Sequence, residues 1–309
     1  MLGLIYSKAA PQYADWARAA GLQFATIDSA QNLNDVDLTQ VTWLLAEPSL
    51  ALPILHDLPN LRWLQSTWAG VESLLATPNA QNYTLTNIKG VFAPLMSEYV
   101  MAHCLAHERE IYAHHAAKLQ QQWRNDAGGV IRGKTMLIMG VGSIGSAVAA
   151  AARFFGMCVL GVVNSPRPMD GLDEVGGFAD LPQLLPRADY VVNILPNTPA
   201  TQNIVDAAFL AQMKSSAVFI NVGRGQAVVE VDLAAALHNG TIAGAVLDVY
   251  RTEPLPIDHV FWHTPNLTLT SHTAAPSYPA DIFAVFIDNY QRLMRGEPLL
   301  YTVDFTRGY

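Results

Sequence analysis

A chain of 309 residues is long enough for one large domain or two ordinary ones, and 51% hydrophobic residues supply a sizeable core. The formal charge of −8, with no basic block, argues against nucleic acid or an anionic membrane surface as a partner. No apolar run approaches the roughly 20 residues of a membrane span, and Met1–Tyr6 has neither the length nor the basic flank of a signal peptide, so a cytoplasmic protein is expected.

Short apolar runs alternate with helical patterns over the first hundred residues. Leu2–Tyr6, Trp43–Ala46 and Leu61–Ser66 read as buried strands, and Tyr13–Ala20 and Leu52–Leu58 as the helices between them. That alternation predicts a parallel sheet with crossover helices. Pro94 then precedes a stretch without Pro or Gly, predicted as one long helix from Met96 to about Gln122 and ended by Gly128-Gly129. His103 and His107 stand four apart on it, with His114 and His115 further on. No cluster of Cys or Asp ligands accompanies them and the H-E-x-x-H pattern is absent, so no metal site is read. Cys104 on this helix and Cys158 on a later strand read as two buried thiols rather than a disulfide framework. Trp63, Trp68 and Trp123 read as packing residues, with a substrate-facing role the alternative for Trp68, and Glu72 as solvated.

From Lys134 the strand–helix rhythm resumes. Strands are predicted at Met136–Met139, Val159–Val163, Tyr190–Ile194, Val218–Val222, Gly244–Asp248 and Leu267–Thr270, six in all, the count of a doubly wound nucleotide fold. A last helix, Pro279 to Arg295, is expected to return to the first unit. The chain therefore divides into residues 1–96 plus 278–309 and residues 97–277. Chemistry in open α/β sheets gathers beyond the carboxyl ends of the strands.

The first such end carries the strongest motif. The run Met136–Met139 meets Gly140-x-Gly142-x-x-Gly145, and an Ala-rich helical segment, Ala147 to Phe155, follows. Strand, glycine turn and helix in that order mark a dinucleotide site. Gly140 allows the turn, Gly142 lets a pyrophosphate reach the backbone, and Gly145 lets helix and strand pack closely. Ser143 and Ile144 open the helix, whose free N–H groups and positive dipole end face the phosphates. At the end of the second strand, where an NAD site places Asp or Glu on the ribose, the chain has Asn164-Ser165-Pro-Arg167. Asn164 and Ser165 can donate to a 2′-phosphate and Arg167 can neutralise it, so NADP(H) is the expected cofactor, with NAD(H) the lesser choice.

Three later strand ends carry titratable groups. Arg224 follows Phe219–Gly223, Glu253 follows the strand ending near Asp248, and His272 follows Leu267–Ser271. Asn221-Val-Gly-Arg224-Gly, Leu247-Asp-Val-Tyr-Arg-Thr-Glu253-Pro and Thr270-Ser-His272-Thr-Ala-Ala resemble the signature segments of the D-isomer-specific 2-hydroxyacid dehydrogenases, and the likeness runs over nearly the whole chain. Trp68-Ala69-Gly70-Val71-Glu72, Leu195-Pro196-Asn-Thr, Glu253-Pro-Leu-Pro and the terminal Arg307-Gly-Tyr309 are similar to the glyoxylate- and hydroxypyruvate-reducing branch of that family.

The resemblance implies two doubly wound parallel-sheet domains, a Rossmann NAD(P)-binding domain and a smaller flavodoxin-like substrate domain. It implies hydride transfer from NAD(P)H to a small 2-oxo acid. Arg224 would hold the substrate carboxylate and carbonyl oxygen, and the loop Ala69, Gly70 and Val71 would take the remaining carboxylate lone pairs. His272 would donate the proton, and Glu253 would orient its ring and favour its charged form. Leu195, Pro196, Val222 and Gly223 would line the cofactor, and Asp248 would contact the nicotinamide carboxamide. A homodimer built through the long helix is the family expectation. NAD-dependent phosphoglycerate dehydrogenase is the near alternative, and a dinucleotide-sensing corepressor the remote one. The few basic residues of the first unit, Lys8, Arg18, Arg62 and Lys89, offer little to a substrate phosphate.

Overall fold

Buried β-branched and leucine runs, each flanked by helical segments, build two parallel sheets. The computed structural model describes residues 2–28, 33, 35–76 and 82–305; the motif Arg307–Tyr309 lies outside the described residues. The chain divides into two units, Met1–Val91 with Ser277–Tyr309, and Phe92–Pro276.

The first unit holds strands β1 (Leu2–Tyr6), β2 (Phe24–Ile27), β3 (Val41–Ala46), β4 (Trp63–Ser66) and β5 (Thr84–Thr86). Helices α1 (Ala10–Ala19), α2 (Pro48–Ala51) and α3 (Glu72–Leu75) connect them. The sheet order is β2-β1-β3-β4-β5, all parallel, which is the flavodoxin-like winding. β2 and β5 were not predicted. Both are edge strands of three or four residues, too short and too half-polar to carry a periodic signal. The predicted helix at Leu52–Leu58 is a 3-10 turn, Leu52–Asp57, running on from α2. Pro53 has no N–H to continue the α-helical ladder there.

The second unit holds α4 (Phe92–Glu108), α5 (Ile111–Leu119), β6 (Thr135–Met139), α6 (Ser143–Phe154), β7 (Cys158–Val162), β8 (Glu174–Gly176), α7 (Leu181–Leu184), β9 (Tyr190–Asn193), α8 (Ala207–Ala211), β10 (Val218–Asn221), α9 (Glu230–His238), β11 (Gly244–Leu247) and β12 (Leu267–Leu269). Its sheet order is β12-β11-β10-β9-β6-β7-β8. The sheet has seven strands rather than the predicted six, because the three-residue edge strand β8 leaves no pattern. Side chains of β6 alternate between two cores: Leu137 and Met139 join one, Met136 and Ile138 the other. The order reverses direction between β6 and β9, and the glycine turn lies at that switch point.

The long helix predicted from Met96 to Gln122 is broken in two. Glu110 takes a left-handed conformation, φ 48°, between α4 and α5. The cause is tertiary. The buried Glu108 carboxylate accepts from the Tyr190 hydroxyl at 2.7 Å and faces Lys134 Nζ at 3.4 Å. The Glu108 carbonyl accepts from Gly129 N–H at 2.7 Å, and Arg124 pairs with Glu110. These partners fix the end of α4 without any helix breaker in the sequence. Two smaller expectations are also corrected. Cys158 is half-buried while Cys104 is fully buried, both as free thiols. Trp123 is 94% exposed and packs no core.

The last helix, α10 (Pro279–Arg295), belongs to the first unit. Pro279 starts it and Gly296, at φ 68°, ends it. Its Phe286 is fully buried, stacks on Trp63 with centroids 5.2 Å apart, and meets Trp43 at the same distance with the rings tilted by 49°. Asn289, also fully buried, donates to Gln65 Oε1 at 3.0 Å and to the Leu300 carbonyl at 3.1 Å.

Candidate active site

The switch point is built for a dinucleotide. Gly140, at φ 99°, follows β6 and donates to the Val162 carbonyl at 2.9 Å, so the turn leaves the strand in a direction open only to glycine. A Cβ on Gly145 would lie 2.4 Å from the Gly140 carbonyl oxygen, whereas a Cβ on Gly142 would meet nothing within 4 Å. The one glycine packs helix against strand; the other borders open space. α6 begins after Gly142 with no side chain capping it, so the first amides, those of Ser143 and Ile144 among them, stay available to an anion. Beyond β7, Asn164, Ser165 and Arg167 are all exposed, and no carboxylate stands at the strand end. The donors present thus fit a dinucleotide with a phosphate on its ribose.

The next strand ends are knitted by two buried amides. Asn193 and Asn221 sit opposite each other in β9 and β10, and Asn193 Nδ2 donates to Asn221 Oδ1 at 2.9 Å. Asn221 Oδ1 also accepts from Gly223 N–H at 3.2 Å, and Asn221 Nδ2 donates to the Arg224 carbonyl at 3.1 Å. Asn193 Oδ1 accepts from Leu195 N–H at 3.3 Å, and Pro196 follows. Val222 is buried and donates to the Asn193 carbonyl at 3.1 Å. A Cβ on Gly223 would fall 2.7 Å from the Leu195 carbonyl oxygen, so the two predicted cofactor segments touch through backbone. This amide ladder sets the turn that carries Arg224. The Arg224 side chain is half-buried and donates to the Gly223 carbonyl at 2.8 Å. Asn193 and Asn221 escaped the sequence reading, because their function depends on strand register.

Glu253 and His272 meet. His272 Nδ1 lies 2.8 Å from Glu253 Oε2, and Glu253 Oε1 accepts from Tyr250 N–H at 2.9 Å. Both carboxylate oxygens of Glu253 are thereby assigned, and the ring is held by one nitrogen. His272 itself is left-handed, φ 55°, a conformation costing a non-glycine residue about 1–2 kcal/mol. Its N–H donates to the Asp248 carbonyl at 2.8 Å.

Asp248 is 2% exposed, and its carboxylate is committed to the protein. Oδ1 accepts from Thr270 Oγ1 at 2.6 Å and from Thr273 N–H at 2.8 Å, and Oδ2 from Ala274 N–H at 3.0 Å. The residue predicted to face the nicotinamide thus also organises the loop that carries His272, a role without a sequence signal. In the first unit, the loop after β4 holds Ala69 and Gly70 half-buried and Val71 buried ahead of α3. The Ala69 carbonyl accepts from Asn87 Nδ2 at 2.9 Å, and Trp68 N–H donates to Ser66 Oγ at 3.0 Å. Trp68 is 42% exposed, so it is not a core packing residue. Among the described residues no group of His, Cys, Asp or Glu is arranged to hold a metal.

A glycine turn at the switch point, followed by an arginine and a carboxylate-held histidine on later strand ends, defines a nicotinamide-dinucleotide-linked dehydrogenase. Residues 101–274 match the model of the D-isomer specific 2-hydroxyacid dehydrogenase NAD binding domain. The chain is 33% identical over 248 residues to a glyoxylate/hydroxypyruvate reductase A of Escherichia fergusonii, covering 78% of this chain and 80% of that protein. A D-isomer specific 2-hydroxyacid dehydrogenase family protein from Aeromonas salmonicida superimposes with a TM-score of 0.94 at 38% identity, covering 98% of this chain and 99% of that one. An NADPH-dependent glyoxylate/hydroxypyruvate reductase from Sinorhizobium meliloti, in complex with NADP and sulfate, superimposes with a TM-score of 0.90 at 30% identity over 100% of this chain and 99% of that one. The chain belongs to the D-isomer-specific 2-hydroxyacid dehydrogenases, oxidoreductases that act on the CH–OH group of small 2-hydroxy acids.

Proposed function

We propose that this protein reduces small 2-oxo acids, glyoxylate and hydroxypyruvate foremost, with NADPH as the preferred donor and NADH as a poorer one. The Glu253–His272 pair at 2.8 Å is the observation that carries the reading, since it supplies a held proton donor at a strand end of a dinucleotide-binding sheet. The relatives that share this chain's length and fold and are named for glyoxylate and hydroxypyruvate support it over phosphoglycerate oxidation.

When bound, the dinucleotide supplies the hydride. The protein's own part is position and proton. Arg224 holds the substrate carboxylate with its planar fork and steadies the negative charge that grows on the carbonyl oxygen. The amides of Gly70 and Val71, presented by the loop that includes Ala69, take the other carboxylate lone pairs. Glu253 engages Nδ1 of His272, which leaves Nε2 to donate a proton to the carbonyl oxygen. The free amides at the start of α6, with Ser143 and Ile144, hold the pyrophosphate. Asn164, Ser165 and Arg167 hold the 2′-phosphate. Leu195, Pro196, Val222 and Gly223 border the cofactor's path, and Asp248 supports its nicotinamide end.

Purified protein offered glyoxylate, hydroxypyruvate and phosphohydroxypyruvate, each with NADPH and with NADH, tests this directly. The first two substrates with NADPH are expected to turn over at about 1–10³ per second. Losing the contacts to the 2′-phosphate should raise the KM for NADH by roughly ten- to a hundredfold, the equivalent of one or two charge-assisted hydrogen bonds. A preference for NADH with phosphohydroxypyruvate would instead point to phosphoglycerate dehydrogenase. No turnover at all would point to a dinucleotide-sensing binding protein.

We infer further that the protein works as a homodimer in the cytoplasm. α5 has no buried residue, and Ile111, Tyr112, Leu119 and Trp123 leave apolar surface exposed beside a hollow of about 640 Å³ whose lining mixes Ala113, Ala117 and Trp123 with the polar Gln120, Arg124 and Asp126. An apolar face on an otherwise acidic chain suits a second copy. Sedimentation equilibrium is expected to return twice the 33.6 kDa chain mass, and a concentration-independent monomer would remove the claim. Two free thiols suit a reducing compartment, and among the described residues no helix is long and apolar enough to cross a membrane. Recovery outside the cytosolic fraction of cells would contradict that location.

A further inference from the structure

Tyr99 on α4 and Thr270, just past β12, are 171 positions apart in sequence, yet their side-chain oxygens lie 2.6 Å from each other. Thr270 Oγ1 also lies 2.6 Å from Asp248 Oδ1. A carboxylate only accepts, so the Thr270 hydroxyl donates to Asp248, and the Tyr99 hydroxyl must then donate to Thr270. The result is a polarised chain, Tyr99 to Thr270 to Asp248, ending on a buried carboxylate. The same carboxylate takes the N–H groups of Thr273 and Ala274, and the Asp248 carbonyl takes that of His272. The Tyr250 hydroxyl holds the Thr270 carbonyl from another direction at 2.6 Å. The backbone on both sides of a left-handed His272 is therefore fastened to Asp248, whose carboxylate takes the Thr270 hydroxyl and two backbone N–H groups.

We propose that Tyr99 is a positioning residue for proton donation by His272, acting through Thr270 and Asp248 on the backbone of residues 270–274. Nothing in the site's chemistry needs Tyr99 to touch substrate. Burial, with the nearby Asp248 charge adding to it, pushes its hydroxyl up to about 12, so it stays a donor at neutral pH. The His103 ring packs 4.5 Å from the Tyr99 ring, and burial pushes that imidazole down, which keeps a competing positive charge away from Asp248. An ångström of drift in His272 is enough to cost about a hundredfold in rate, so a loosened anchor shows in kcat rather than in binding.

This inference rests on the reductase reading for its kinetic test, and a second readout stands apart from it. Tyr99→Phe removes one hydroxyl and keeps the ring. It is expected to lower kcat for 2-oxo acid reduction about tenfold, with the KM values for NADPH and substrate within about twofold of wild type. Thr270→Val should give a similar or larger loss, and the double variant should lose no more than Thr270→Val alone, because the two hydroxyls act as one chain. Amide exchange over residues 270–274, followed by mass spectrometry without any substrate, should quicken about tenfold in Tyr99→Phe. Unchanged kcat in Tyr99→Phe, fully additive losses, or unchanged exchange at 270–274 would each overturn the proposal. Should the wild-type protein turn over no 2-oxo acid, the reductase reading fails, and the exchange measurement alone decides whether Tyr99 holds the His272 loop.

Discussion

Replacing His272 with Ala is expected to lower kcat for 2-oxo acid reduction by about 10²–10⁴, the span that a positioned general acid contributes. Dissociation of NADPH, followed by its fluorescence, should stay within about twofold, because the proposal assigns His272 to the proton and other residues to the phosphates. The substitution carries one complication, since His272 is held at φ 55° and Ala dislikes that region. His272→Asn separates the two effects. Asn accepts left-handed backbone several times more readily than most residues, yet it has no proton to give at neutral pH. Both variants should show the same loss of kcat. Near-normal turnover in either would remove His272 as the acid, and a loss confined to Ala would assign the effect to the backbone.

Arg224→Gln is expected to act on binding and on chemistry together. Its guanidinium would pair with the substrate carboxylate, so the KM for glyoxylate should rise by about ten- to a hundredfold, the worth of a charged hydrogen bond. It would also face the carbonyl oxygen as charge develops there, and losing such a donor typically removes about 10²–10³ in kcat. The combined fall in kcat/KM is then about 10³–10⁵, the largest expected of any single change. Arg224→Lys should recover little, because a point charge on a flexible stem does not reproduce the planar fork. Saturation kinetics on glyoxylate and hydroxypyruvate check both parts. A rise in KM with kcat intact would confine Arg224 to the carboxylate, and no change in either would exclude it from the site.

Much of the fold was legible wherever local signals agreed with tertiary need. β1 and α10 have the bounds expected of them, the first from an unbroken apolar run, the second because Pro279 and Gly296 punctuate it. The edge strands β2, β5 and β8 were not legible, since three or four half-polar residues cannot show a period. The break between α4 and α5 was not legible either. It is enforced by Tyr190, Lys134 and Gly129 acting on Glu108 from distant parts of the chain, and nothing at Arg109 or Glu110 announces it.

The site divides in the same way. Glu253 and His272 could be picked out because both follow a strand within a motif, and the fold brings them within 2.8 Å. The parts that hold them could not be picked out. Asn193 and Asn221 matter only because β9 and β10 pair in one register, and Asp248 matters because a loop folds back onto it. Residues that do chemistry sit in recognisable words; residues that hold them speak through hydrogen bonds, which spacing does not reveal.

The placement of α10 has a consequence for how the chain is made. Trp43 and Trp63 are fully buried largely against Phe286, which is some 220 residues further along. At about 5–20 residues per second a ribosome takes roughly ten to forty seconds to cover that distance. During that interval the second unit, a continuous stretch from Phe92 to Pro276, can complete itself as it emerges, while the first sheet waits with two tryptophans uncovered. The earliest part of the chain to be synthesised is thus the last to be finished, and the nascent protein passes through a stage in which its N-terminal face is the surface most in need of a chaperone.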